Sequence, residues 1–99
     1  TSKRAADLPN VPTIAENGYP GFEAPAWWAV LAPAKTSPDI VKRMNDELNK
    51  VLKNPDVAKK LDAQGIDVMG GTPAQAGAFI DKQIATWAKV VKDNGIKAD

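Results

Sequence analysis

The sequence contains neither cysteine nor histidine in its 99 residues. Their absence removes the usual ligands of a structural zinc site and the nucleophile or base of Cys–His and Ser–His–Asp enzymes. It also excludes a histidine-based pH switch. A glycine-rich phosphate-binding motif is missing too, and the acidic residues are spread over helix faces that we predict to be exposed. We therefore predict that the protein is not an enzyme and uses neither a metal nor a cofactor.

Charge and hydrophobicity exclude two further classes of partner. Lysine and arginine number 13 against 12 aspartate and glutamate residues, so the net charge is only +1 and does not favour nucleic-acid binding. No apolar run approaches the roughly 18 residues that span a bilayer. Hydrophobic residues make up 43% of the chain, an ordinary share for a globular protein. The length predicts a single small domain over 1–99 with a modest core.

Prolines and glycines punctuate the first quarter of the chain, 1–25. Because a residue that precedes proline avoids the helical region, Leu8–Thr13 is expected to be extended. Thr13–Asn17 has room for one helical turn, and Gly18 can supply the left-handed residue that ends it. We predict that 1–25 wraps a surface and contributes little core of its own.

A run of seven apolar residues, Ala26–Ala32, lies between two prolines. A short apolar run with such boundaries is typical of a strand that is buried on both faces, and it predicts a buried strand over 26–33. A looser alternation predicts a second, short strand over 66–69. Because a two-stranded sheet is only marginally stable, we expect the missing strands to lie in sequence outside this chain.

Start signals and apolar periodicity predict three helices, over 37–53, 54–64 and 72–95. The third has the clearest beginning, since Thr72 and Gln75 have the spacing of a capping box. Trp87 lies on the apolar face of this helix and is expected in the core. The fold class that follows is α/β, mostly helical with one or two strands.

Two long stretches of the sequence resemble one protein family. Leu8–Glu23, LPNVPTIAENGYPGFE, resembles the segment LPdVPTlaEaGyPgfe of the Bug (Bordetella uptake gene) family. Trp27–Val41, WWAVLAPAKTSPDIV, is similar to that family's WwGllAPAgTPpdIv. Further matches follow in the family's order at Arg43–Asn49, Asn54–Val57, Gly65, Gly70–Pro73 and Trp87–Val91. The resemblance covers essentially the whole chain and departs at Ala29 and Lys35, where the family commonly has glycine.

The resemblance implies a function in solute transport. Bug proteins are periplasmic solute-binding proteins of tripartite tricarboxylate transporters, with two α/β lobes around a cleft that holds a small carboxylate. This chain would be the C-terminal portion of that two-lobe periplasmic-binding-protein fold. The implied partners are the carboxylate and the membrane permease that receives it. A stand-alone structural or interaction domain that acts through helix packing remains the alternative.

Three residues are candidate ligand contacts under this resemblance: Thr13, Trp27 and Trp28. The Thr13 hydroxyl can donate to a carboxylate, and one of the tryptophans can form an apolar wall, because successive strand residues point to opposite faces. The structural alternatives are a capping interaction, with Thr13 on the backbone and Glu16 at a helix N-terminus, and burial of both tryptophans in the core. Glu16 itself would repel an anion and is not a candidate contact.

The predicted strand over 26–33 also indicates self-association. A strand with apolar side chains and an unpaired edge is a template for pairing with a second copy. A twofold arrangement closes without forming a fibre. We therefore expect the chain by itself to form a symmetric dimer.

Overall fold

The computed structural model describes residues 3–5 and 7–97. These residues form a short 3-10 helix and three α-helices: Ala15–Asn17, α1 (Pro38–Leu52), α2 (Pro55–Asp62) and α3 (Pro73–Asp93). The chain divides into two compact units, Thr1–Val30 with the 3-10 helix and Leu31–Asp99 with the α-helices. A single domain over 1–99 stays a prediction.

Each α-helix begins with a proline, whose fixed φ suits the first turn and whose missing N–H would have no partner there. The Asn54 side chain caps α2 by accepting the N–H of Asp56 at 2.9 Å. Thr72 and Gln75 form the capping box of α3. The Thr72 Oγ1 accepts the Gln75 N–H at 3.2 Å, and the Gln75 Oε1 accepts the Thr72 N–H at 2.9 Å. Ser37 occupies the N-cap position of α1 without a side-chain cap hydrogen bond.

Glycines in the left-handed conformation end the second and third helices. Gly65 has a φ of 70° and Gly95 a φ of 61°. After α3, the N–H of Ile96 donates to the carbonyl of Val91 at 3.0 Å, and that of Gly95 donates to Lys92 at 3.3 Å. This pair of bonds is the Schellman motif, which requires a residue that adopts positive φ without strain.

Helix α1 holds the unit Leu31–Asp99 together, because it contacts both α2 and α3. Two amides of α1 hold the turn that precedes α3. Asn45 Nδ2 donates to the carbonyl of Gly71 at 3.0 Å. Asn49 Nδ2 donates to the same carbonyl at 2.8 Å, and its Oδ1 accepts the Gly71 N–H at 2.8 Å.

The apolar faces of the helices are incompletely covered. Among the described residues no apolar side chain is buried, and those that face neighbouring helices are half-buried at best. Trp87 is 43% exposed, and its indole Nε1 donates to the Gln83 Oε1 at 3.1 Å. The prediction that Trp87 lies in a core is therefore wrong for this structure.

The two predicted strands are also absent. No part of the chain that the structure describes forms a β-strand, so both 26–33 and 66–69 are corrected to irregular chain. The run over 26–33 is not buried either, since Trp28 is 76% exposed and Val30 and Leu31 are each 74% exposed. A strand exists only where a neighbouring strand pairs with its backbone groups, and apolar composition alone does not supply that neighbour. The observed architecture is mostly helical, and the two-lobe α/β fold stays a prediction.

Candidate functional site

The three candidate ligand contacts, Thr13, Trp27 and Trp28, all lie in the unit Thr1–Val30. Thr13 begins the turn that contains the 3-10 helix, and Gly18 ends this turn with a φ of 95°. With 9% exposure Thr13 is the one residue of the described chain that counts as buried. The turn therefore shields the threonine side chain from most of the solvent.

Thr13 and Glu16 cap this turn reciprocally. The Thr13 Oγ1 accepts the N–H of Glu16 at 3.2 Å, and the Glu16 Oε2 accepts the N–H of Thr13 at 2.7 Å. Asn17 Nδ2 adds a bond to the carbonyl of Thr13 at 2.9 Å. These contacts have the pattern of a capping box, in which each residue satisfies a backbone donor of the other. The capping alternative for Thr13 is present in the structure, whereas its ligand role stays a prediction.

Arg4 holds the Glu16 carboxylate from the other side. Its Nη2 donates to Oε1 at 2.7 Å, and its Nε donates to Oε1 at 3.1 Å and to Oε2 at 3.0 Å. The Arg4 Nη1 donates to the carbonyl of Pro9 at 3.0 Å. A planar guanidinium is suited to such forked contacts with a carboxylate. Arg4 thereby closes the loop between itself and Glu16.

This arrangement controls the protonation of Glu16. The hydrogen bonds from Arg4 and then from the Thr13 N–H lower the pKa of the Glu16 carboxyl from 4.5 to about 2. The same contact with Glu16 raises the pKa of Arg4 above its ordinary value. Both groups are therefore charged at neutral pH. Their side chains are each more than 40% exposed, so the pair is at the surface and subject to screening by salt.

The tryptophan pair differs in exposure. Trp27 is 37% exposed and Trp28 is 76% exposed. The alternative in which both lie in a core is therefore absent from this structure. Each indole presents enough apolar surface to form one wall of a ligand site, which is the role predicted for one of them.

The sequence predicted a capping role for Thr13 and one for Glu16 without pairing the two residues, and it did not indicate Arg4. The Thr13–Glu16 spacing is local and is a known helix-start pattern. Arg4 lies 12 residues before Glu16. No periodic or motif signal links the two, because the intervening chain is a series of turns, with the Leu8 N–H bonded to Ala5 and the Val11 N–H bonded to Leu8, each at 3.0 Å.

The unit Leu31–Asp99 has two shallow surface grooves. One follows the polar side of α1 and is lined by charged residues of both signs, among them Asp39, Lys42 and Asp46. The other lies beside α2, at Lys59 and Val68. Both are open to solvent and none of their lining residues is buried, so neither encloses a small molecule.

Residues 3–5 and 7–97 offer neither a cluster of metal ligands nor a membrane-spanning helix. These residues contain no group of three or more acidic side chains that could hold a metal ion. Over the same ranges, no helix combines the length and the apolar character that crossing a bilayer requires.

Comparison with known proteins gives a consistent set of relatives. The model of the TctC family, described as the tripartite tricarboxylate transporter family receptor, matches residues 1–96. Protein BugT of Bordetella pertussis is 41% identical over 97 residues, which are 98% of this chain and 30% of the relative. A UPF0065 protein in the tcbD–tcbE intergenic region of a Pseudomonas species is 38% identical over 97 residues, 97% of this chain and 29% of the relative.

The match to a third relative covers a larger share of that relative's length. The UPF0065 protein in the clcB–clcD intergenic region of Pseudomonas knackmussii is 38% identical over 88 residues, 88% of this chain and 52% of the relative. The chain thus spans between three tenths and about half of the length of these relatives. The resemblance to the Bug family is confirmed. Because the family model matches nearly every residue, the chain belongs to the tripartite tricarboxylate transporter receptor family.

Proposed function

We propose that this chain is part of a periplasmic receptor that captures a small carboxylate and delivers it to the membrane permease of a tripartite transporter. The observation that carries the proposal is the match of the receptor family model to residues 1–96. The name of that family supplies the class of solute, a tricarboxylate or a related small carboxylate. In this function the chain binds and releases solute and catalyses no reaction.

Within such a receptor we propose that the turn 13–18 and the Trp27–Trp28 segment border the solute. The Thr13 hydroxyl accepts a hydrogen bond from the N–H of Glu16, which leaves its own hydrogen as the donor for a solute oxygen. A hydroxyl that accepts one hydrogen bond is polarised toward donating another. The indoles would cover the apolar part of the solute.

Calorimetric titration of the complete product of the gene that encodes this chain tests the proposal. Citrate, malate, glutamate and aspartate are the probes, and saturable binding of at least one is expected. Thr13→Val should weaken that binding about tenfold or more, because a hydrogen bond to a charged group contributes about 1.5–3 kcal/mol. Thr13→Ser is the matched control, since it keeps the hydroxyl and should bind like the parent.

Two further comparisons make the result decisive. Trp28→Leu should weaken binding, whereas Trp87→Leu on α3 should not, although both replace a partly exposed indole. The 99-residue chain alone should bind none of the four compounds, because a cleft between two lobes needs both of its walls. Absence of binding by the complete product would count against a receptor for these carboxylates and favour the alternative of a structural domain.

A further inference from the structure

The Glu16 carboxylate has partners on both of its oxygens. Oε1 accepts from the Nε and the Nη2 of Arg4, at 3.1 and 2.7 Å. Oε2 accepts from the Arg4 Nε at 3.0 Å and from the Thr13 N–H at 2.7 Å. The negative charge of Glu16 on the turn 13–18 is therefore paired with the positive charge of Arg4 in direct contact.

This pairing matters because the turn is proposed to border an anionic solute. A lone carboxylate about 8 Å from a dianion would weaken its binding by about fivefold in water, and more where water is excluded. The turn nevertheless needs a side-chain oxygen at this position, because Glu16 satisfies the N–H of Thr13. Removing that oxygen would break the cap that positions Thr13, whereas glutamine keeps an oxygen that can accept the same N–H.

We propose that Arg4 masks the charge of Glu16, so that the turn keeps its carboxylate cap and still accepts an anion beside it. The inference rests on the proposed carboxylate-binding function. Arg4 acts on the solute through Glu16 and does not touch it. Its fourth hydrogen bond, from Nη1 to the Pro9 carbonyl at 3.0 Å, fixes the guanidinium against the loop and keeps it directed at Glu16.

Single substitutions of Arg4 and of Glu16 are expected to change the Kd for a dicarboxylate in opposite directions. In the complete gene product, Arg4→Gln leaves the Glu16 charge exposed and should raise the Kd for a dicarboxylate about fivefold at low ionic strength. Glu16→Gln leaves the Arg4 charge unmatched and should lower that Kd. A loss of folding cannot tighten binding, so the second variant keeps the test decisive if the first is unstable.

The double variant and salt separate charge from shape. Arg4→Gln combined with Glu16→Gln should return the Kd close to that of the parent, because the turn is then neutral again. In about 0.5 M salt the differences between the single variants should largely disappear, since the screening length is then only a few ångströms. Lys42→Gln removes one member of the exposed pair with Asp46 on α1 and is the matched control, with an unchanged Kd expected.

Each remaining outcome overturns the inference. An Arg4→Gln protein that binds as the parent does, or a double variant as weak as Arg4→Gln, would show that charge masking is not the role of Arg4. A monocarboxylate should respond less than a dicarboxylate, and equal responses would also contradict masking. If the parent binds no carboxylate, the proposed function itself fails, which is a distinct result from a normal parent with insensitive variants.

Discussion

Asn49 forms hydrogen bonds with both backbone polar groups of Gly71, in the turn that precedes α3. Its Nδ2 donates to the Gly71 carbonyl at 2.8 Å, and its Oδ1 accepts the Gly71 N–H at 2.8 Å. Asn45 donates only to the carbonyl, at 3.0 Å. Gly71 has a φ of 124°, a conformation that side-chain-bearing residues rarely adopt, so the turn depends on such outside support.

The size of the effect follows from these contacts. Asn49→Ala removes two hydrogen bonds to Gly71, each contributing about 0.5–1.5 kcal/mol to the free energy of unfolding, toward the lower value at an exposed site. Alanine recovers about 0.6 kcal/mol through its higher helix propensity. The net loss should be about 0.6 kcal/mol. Asn45→Ala loses one such bond and recovers the same propensity, so its net change should be close to zero.

Two measurements check this difference. Urea unfolding followed by circular dichroism gives the change in the free energy of unfolding. Amide hydrogen exchange of Gly71 should accelerate about threefold in Asn49→Ala and little in Asn45→Ala. Asn49→Asp should destabilise more than alanine does, because it places a carboxylate oxygen against the Gly71 carbonyl. Equal stability of the two alanine variants would refute the view that paired contacts to one peptide hold the turn.

Three other predictions follow from the described contacts. Thr72→Ala should lower the free energy of unfolding by about 1 kcal/mol, the usual contribution of an N-cap, and Thr72→Ser should not. The contribution of Glu16 to stability should be complete above about pH 4.5 and be lost as pH falls through its pKa of about 2. Carboxyl NMR can follow this titration. Arg4→Gln should raise the pKa of Glu16, and an unchanged value would contradict the pairing. Light scattering of the 99-residue chain should show a dimer that Val30→Lys dissociates, because the apolar run over 26–33 is exposed, Val30 by 74%, and a second copy can cover it; a parent that is monomeric at all concentrations would contradict it.

The helices could be predicted from the sequence because their signals are local. The predicted 54–64 and 72–95 compare with Pro55–Asp62 and Pro73–Asp93 in the structure. Asn54 and Thr72 cap these helices with bonds to residues only two or three positions away. Such contacts form within one turn of chain and depend on no other part of the protein.

The strands and the core could not be predicted in the same way. The apolar run over 26–33 and the apolar face that carries Trp87 indicate surfaces that avoid water. Burial, however, belongs to a pair of surfaces, and backbone pairing belongs to a pair of strands. In the described chain Trp28 and Trp87 remain 76% and 43% exposed. The hydrophobic pattern therefore identified apolar residues that favour burial, but it did not identify the surface that would bury them.

The ion pair of Glu16 could not be predicted from its local sequence. From the sequence, Glu16 is not a candidate ligand contact, because an isolated carboxylate repels an anion. The structure pairs it with Arg4, 12 residues away, and its pKa falls to about 2 while the pair as a whole is neutral. Capping depends on local position, so capping roles for Thr13 and Glu16 could be predicted from the sequence. The electrostatic potential at the turn depends on the sum over all nearby charges, so a cation 12 residues away offsets a charge that the local sequence alone would leave unpaired.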